Sequence, residues 1–158
     1  MRYKVKDGPR TLIFDGQELS HASSFYPGKL RWIEFTIYKT NAGQYVVART
    51  GKSFVYHRED CPTVRRNHIA ALPGQVIPDT MKPCDICNPS RVHDEILFPE
   101  TPREAATTCS TAEGVVKWMR QKDSNGIDYL TNVAKDALEL AAESDLAIND
   151  AYYTERVY

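Results

Sequence analysis

No long apolar run interrupts this sequence. Its first residues, Met1-Arg2-Tyr3-Lys4-Val5-Lys6-Asp7, are polar or charged, and nothing further along approaches the ~18 consecutive apolar residues of a spanning helix. The expectation is therefore a cytoplasmic chain with no signal peptide and no membrane anchor. A charge excess of either sign is also missing, since 20 Lys and Arg face 21 Asp and Glu for a net charge of −1. That balance lacks the basic character by which nucleic-acid-binding domains usually announce themselves. There is no nucleophile elbow, no phosphate-binding loop and no HExxH pair, and the remaining reactive side chains Cys109, His21, His68 and His93 share no spacing that ties them together. An enzyme is thus the least supported class, because its site would have to be assembled entirely in space. Repeats and low-complexity tracts are absent too, and 158 residues suit one domain, or one small domain with an appendage.

Cysteine is scarce, yet three of the four fall, with one histidine, into two close pairs. His57-x3-Cys61 and Cys84-x2-Cys87, separated by 22 residues, form two close pairs of the kind that hold one tetrahedral zinc ion. Three soft thiolates and an imidazole suit Zn²⁺, and four protein ligands leave no position for a substrate or an activated water, so the ion is expected to be structural. His68 and His93 compete with His57 for the fourth position. Cys84-Asp85-Ile86-Cys87 could instead be a redox pair, but Pro83 and Asn88-Pro89 bracket it with turn signals rather than with a strand and a helix. Disulfides fit poorly with a cytosolic chain.

Residues 1–56 read as a β-rich section. Tyr3-Lys4-Val5 and Thr11 to Phe14 are short strands, the second closed by Asp15-Gly16 as a hairpin turn. Leu30 to Thr40 is the clearest strand and should be central, because Ile33, Phe35 and Ile37 alternate with a mixed face. Asn41-Ala42-Gly43 turns the chain into Tyr45-Val46-Val47-Ala48, Thr50 to Ser53 turns it again, and Phe54-Val55-Tyr56 delivers His57. The zinc-binding module spans 50–90, with a short helix expected between the ligand pairs over 62–72. Residues 91–109, punctuated by prolines, read as a linker or extended wrap. Residues 110–158 read as a helical C-terminal section: a capping box at Ser110-x-x-Glu113 opens one helix, and Leu130, Val133, Ala134, Ala137, Leu138 and Ala141 stripe a second over about 128–144. The fold class is α+β: a small antiparallel sheet, the zinc module fused to its last strand, and helices packed on the sheet or on a second subunit.

The stretch Thr50-Gly-Lys-Ser-Phe-Val-Tyr-His57-Arg-Glu-Asp-Cys61, followed by Met81-Lys-Pro-Cys84-Asp-Ile-Cys87-Asn-Pro89, resembles the zinc-binding module of the Ada DNA-repair family. It is closer still to the related modules of some bacterial thermonuclease-like and competence proteins, with their Tyr-His-x3-Cys start and Pro-Cys-x2-Cys-x-Pro finish. About 40 of the 158 residues are covered. The Ada module has a cysteine at the first ligand position, and its zinc-bound thiolate accepts a methyl group from a DNA phosphotriester. Here that position is His57, which can hold the metal but cannot accept the methyl group. What the resemblance implies is the scaffold and an affinity for nucleic acid.

Two binding roles follow as expectations. Arg49, Lys52, Arg58, Arg65, Arg66 and Lys82 lie near the ligands in sequence, so zinc could gather several of them into a patch making weak, non-specific phosphate contacts, with Tyr45 and Tyr56 adding stacking. Alternatively these charges only solvate a surface, and the partner is a protein. The acidic section 101–158, with 6 Lys and Arg against 10 Asp and Glu, ends in three tyrosines within eight residues, which would suit a regulatory interface.

Overall fold

The computed structural model describes residues 1–58, 61–62, 77, 80–91 and 97–154. These form the strands β1 (Arg2–Asp7), β2 (Arg10–Ser23), β3 (Arg31–Thr40), β4 (Tyr45–Ser53), β5 (Val55–Arg58), β6 (Lys82–Pro83), β7 (Leu97–Pro99), β8 (Arg103–Cys109), β9 (Gln121–Lys122) and β10 (Asp128–Tyr129). Three helices follow the eighth strand: α1 (Ala112–Met119), α2 (Asn132–Ala142) and α3 (Leu146–Tyr153). The class is α+β. The chain divides into two compact units, one of Met1–Ser24, Ile33–Thr50 and Glu104–Tyr158, the other of Phe25–Trp32 and Gly51–Arg103.

The first unit is built on a mostly antiparallel sheet of order β1-β2-β3-β4-β8, in which the alternating strand β3 is central as its pattern requires. The sheet curls until its edges meet: Gly8 N–H donates to the Glu104 carbonyl at 2.7 Å, and Ala106 N–H donates to Asp7 Oδ1 at 3.2 Å. Period-two alternation gives each strand two faces. On one face Val5, Val46 and Ala106 are buried with Leu12, Phe14, Tyr38 and Ala48 against them, and the rings of Tyr3, Phe14 and Tyr38 pack with centroids 4.8–5.6 Å apart. On the other, Ala22, Phe35, Ile37, Tyr45 and Val47 join the apolar stripes of the three helices in the main core.

Asp15-Gly16, expected to close a hairpin, lies inside β2 instead. The turn comes earlier, at Gly8, whose φ of +57° suits glycine. Gly16 serves a different purpose. It faces Thr40 across the β2–β3 ladder, and a Cβ there would sit 2.2 Å from the Lys39 carbonyl oxygen, so only a residue without a side chain permits that approach. Gly16→Ala is expected to destabilise the protein by about 1–3 kcal/mol, the usual cost of overpacking, read as a lower urea midpoint with unchanged slope. Residues 50–53, expected as a turn, continue β4, and 97–109, read as part of a linker or extended wrap, contain β7 and β8.

The helices begin where hydroxyl and carboxylate caps place them. Thr111, one residue beyond the expected Ser110, caps α1 by accepting from Gly114 N–H at 3.1 Å. The second helix starts at Asn132 rather than near 128, because Asp128 and Tyr129 pair with Lys122 and Gln121 in a small antiparallel ribbon; Thr131 then caps α2. The third helix was not foreseen, since only Ile148 of its residues is buried and no stripe marks it. Among the described residues no helix is long and apolar enough to cross a membrane.

Candidate metal centre

The second unit is organised by β5. The strand expected at Phe54-Val55-Tyr56 is observed one residue later, over Val55–Arg58, so that His57 lies within it; β6 runs parallel to it on one side and β7 antiparallel on the other. Two backbone bonds set the register, Lys82 N–H to the Phe54 carbonyl at 2.6 Å and Cys84 N–H to the Tyr56 carbonyl at 3.0 Å, so Cys84 leaves β6 beside His57. Each ligand pair then closes on its own turn. Cys61 N–H donates to the Arg58 carbonyl at 3.1 Å, and Asn88 N–H to the Cys84 carbonyl at 2.8 Å, with Asn88 at φ +44°, a region asparagine tolerates better than most. Arg58 N–H reaches Cys87 Sγ at 3.3 Å, the N–H to sulfur bond typical of a metal-holding knuckle. Arg91 braces the Cys84–Cys87 segment: its guanidinium donates to the carbonyls of Ile77 at 2.8 Å and Met81 at 3.4 Å and lies 4.8 Å from the Tyr56 ring centre.

The result is a cluster of one ligand atom each from His57, Cys61, Cys84 and Cys87, all within 4.8 Å of one another and all four residues buried. Cys61 and Cys84 sulfurs are 3.9 Å apart. The donor set is chemically suited to a borderline-soft cation. A second observation fits the same conclusion. Among the described residues His57 Nδ1 is buried and has no hydrogen-bond partner, a costly state for a ring nitrogen that a metal would relieve. The cluster could hold a metal ion.

Electrostatics favour a cation there. Burial pushes the Cys87 thiol up to about 12; the Arg58 N–H opposes this, while the crowding of Cys61 and Cys84 reinforces it. Such thiols give up their protons readily only to a compensating positive charge, so loading should release protons and strengthen as pH rises. For His57, burial works against the charged ring but is outweighed by the Glu100 carboxylate and the neighbouring Cys61, which hold it at about 9. Glu100 itself is held at about 2: burial opposes ionisation, and bonds from His57, Arg31 and Ser53 overcome it.

Glu100 escaped the sequence. It sits 43 positions from His57, behind Pro99, and no spacing rule links a residue before Thr101-Pro102 to a metal ligand. Only the pairing of β7 with β5, continued by the Glu100 N–H bond to the Val55 carbonyl at 2.9 Å, brings it to the ring.

Arg49 is half-buried on β4 in the first unit; Lys52 and Arg58 are half-buried and Lys82 exposed in the second. Arg65, Arg66, His68, His93 and most of the expected helix over 62–72 lie outside the described residues. Tyr45 and Tyr56, expected to stack on bases, are 3% and 4% exposed and are core residues instead. His21 is 3.1 Å from Glu34 Oε1 through Nε2 and 2.8 Å from Thr36 Oγ1 through Nδ1, and Cys109 is half-buried with its thiol raised by burial. Neither belongs to the cluster. Comparison with family models, with curated proteins and with solved structures finds no match for this chain.

Proposed function

We propose that this is a non-catalytic, zinc-stabilised binding protein whose metal module is of the Ada type. The observation that carries the reading is the convergence of four buried donors, one imidazole and three thiols, within 4.8 Å. Four protein ligands complete a tetrahedral shell and leave no coordination position for a substrate. Zinc is the ion such a set holds best among those a cell supplies freely, and its role here is to supplement the small hydrophobic core that the described residues of this turn-rich segment form. The imidazole of His57 stands where the Ada module has its methyl-accepting thiolate, so no transfer from DNA is expected. DNA carrying methylated phosphotriesters should leave the protein's mass unchanged, and methylation of Cys61, Cys84 or Cys87 would overturn the assignment.

Phosphate contact is the binding role we favour, carried by Lys82, Lys52 and Arg58 with Arg65 and Arg66 between the ligand pairs. A chain with no net positive charge supports only weak, sequence-independent affinity, and that affinity falls steeply with salt. Titration of duplex and single strands at two salt concentrations should show binding at low salt only, reduced by Lys82→Ala and by the Arg65→Ala/Arg66→Ala pair. Absence of binding at low salt would favour the second reading, a protein-interaction factor using the acidic C-terminal section, where Tyr153 is 60% exposed beside the half-buried Tyr152.

A further inference from the structure

We propose that Glu100 is the positioning residue of the metal centre: it holds the His57 ring with Nε2–H toward itself, so that Nδ1 is the ligand atom, and it is itself locked by Arg31 and Ser53. The inference rests on the reading of the four-residue cluster as a metal site, and extends it to three residues that the ligand motif does not contain.

The geometry is that of a carboxylate backing a metal-bound histidine. Glu100 Oε1 is 2.6 Å from His57 Nε2, while the other ring nitrogen, Nδ1, has no hydrogen-bond partner among the described residues and is the one left for the metal. A histidine ligand is neutral, so one ring nitrogen carries the proton and the other the metal; a hydrogen bond at the first decides the second. Glu100 is in turn unable to turn away. Its Oε1 also accepts from Arg31 Nη2, and its Oε2 accepts from Arg31 Nε at 3.3 Å and from Ser53 Oγ. Four donors use the full accepting capacity of one carboxylate, and the forked guanidinium fixes its plane. Arg31 also cancels the charge of Glu100, so the carboxylate adds no net negative charge beside three thiolates. Glu100 is 8% exposed and its own N–H is bonded to Val55, which leaves neither the side chain nor the backbone free to yield.

Zinc affinity of the full chain, measured by competition with a chromophoric chelator, should fall about 10–100-fold in Glu100→Ala. Glu100→Gln should recover part of the loss, because its amide oxygen still accepts from Nε2–H; a purely space-filling role would not distinguish the acceptor. In the zinc-loaded wild type, long-range ¹H–¹⁵N correlation should place the proton of His57 on Nε2 and the metal on Nδ1. Unchanged affinity in Glu100→Ala, or metal on Nε2, would overturn the proposal while leaving the metal centre standing. If Glu100→Ala does not fold, the wild-type tautomer decides alone. A wild type that takes up no metal would bring down this inference together with the reading beneath it.

Discussion

Cys61→Ser is expected to lose stoichiometric zinc and, with it, the ordered structure of the second unit. Among its described residues that unit buries few large apolar side chains beyond the cysteines, chiefly Val55, Tyr56 and Ile77, with Pro89 and Pro99. Each contributes on the order of 1.5–3 kcal/mol at most. Ordering a residue costs about 1–2 kcal/mol in backbone entropy alone, so metal binding is expected to add substantially to what these described side chains, with the packed rings of Phe25, Trp32 and Phe54, contribute. Structural zinc is worth about 10–16 kcal/mol in small zinc-finger peptides at neutral pH, comparable to the whole stability of a typical domain. Hydrogen exchange should therefore show the amides of Cys84 and Asn88 protected in the zinc-loaded wild type and unprotected in Cys61→Ser. Cys109→Ser, at a half-buried position outside the cluster, should keep both the metal and the protection.

Asp145→Ala should be strongly destabilising in the first unit, at about 2–4 kcal/mol, because it leaves the buried Tyr45 hydroxyl and a helix start without their acceptor and Lys39, about a third exposed, without its partner. The buried Asp145 carboxylate accepts from Lys39 Nζ at 2.8 Å, from Tyr45 OH at 2.9 Å and from Ile148 N–H at 3.0 Å, where it caps α3. One side chain thus joins β3, β4 and the third helix. A loss of that size corresponds to a lower melting temperature by on the order of 10 °C in a chain of this length. Burial would raise the Asp145 pKa, but the bonds from Lys39, Ile148 N–H and Tyr45 prevail and hold it below the usual carboxylate range. A group whose folded pKa is depressed contributes stability that is present above its unfolded value, about 3.9, and is lost as pH falls through the folded one. Denaturant titrations of the wild type should therefore show stability dropping as pH falls below about 4, and Asp145→Asn should flatten that part of the profile. An equal slope in the variant would mean that other carboxylates carry the acid sensitivity.

The parts of this fold that were legible are those whose information is local. The alternation in β3, the turn at Gly43 with φ +87°, the stripe of α2 and the two ligand pairs each show within a dozen residues. What was missed depends on long-range pairing. Gly16 looks like a turn residue until β3 is laid against it, and 128–129 look helical until β9 pairs with them. The site divides in the same way. His57, Cys61, Cys84 and Cys87 announce themselves by spacing and donor chemistry, whereas Arg31, Ser53 and Glu100 come from three distant stretches joined only by the folded strands. Tyr45 and Tyr56 were misjudged for a related reason: an aromatic ring beside basic residues in sequence carries no sign of which face of the strand it takes.

Elemental analysis of the purified full chain tests the central claim most directly. The protein should carry zinc at close to one equivalent per chain, retained through gel filtration and removed by a strong chelator together with protection of the Cys84 and Asn88 amides. Protein that is free of metal as isolated, binds no added zinc, and yet keeps those amides protected would contradict a zinc-stabilised module.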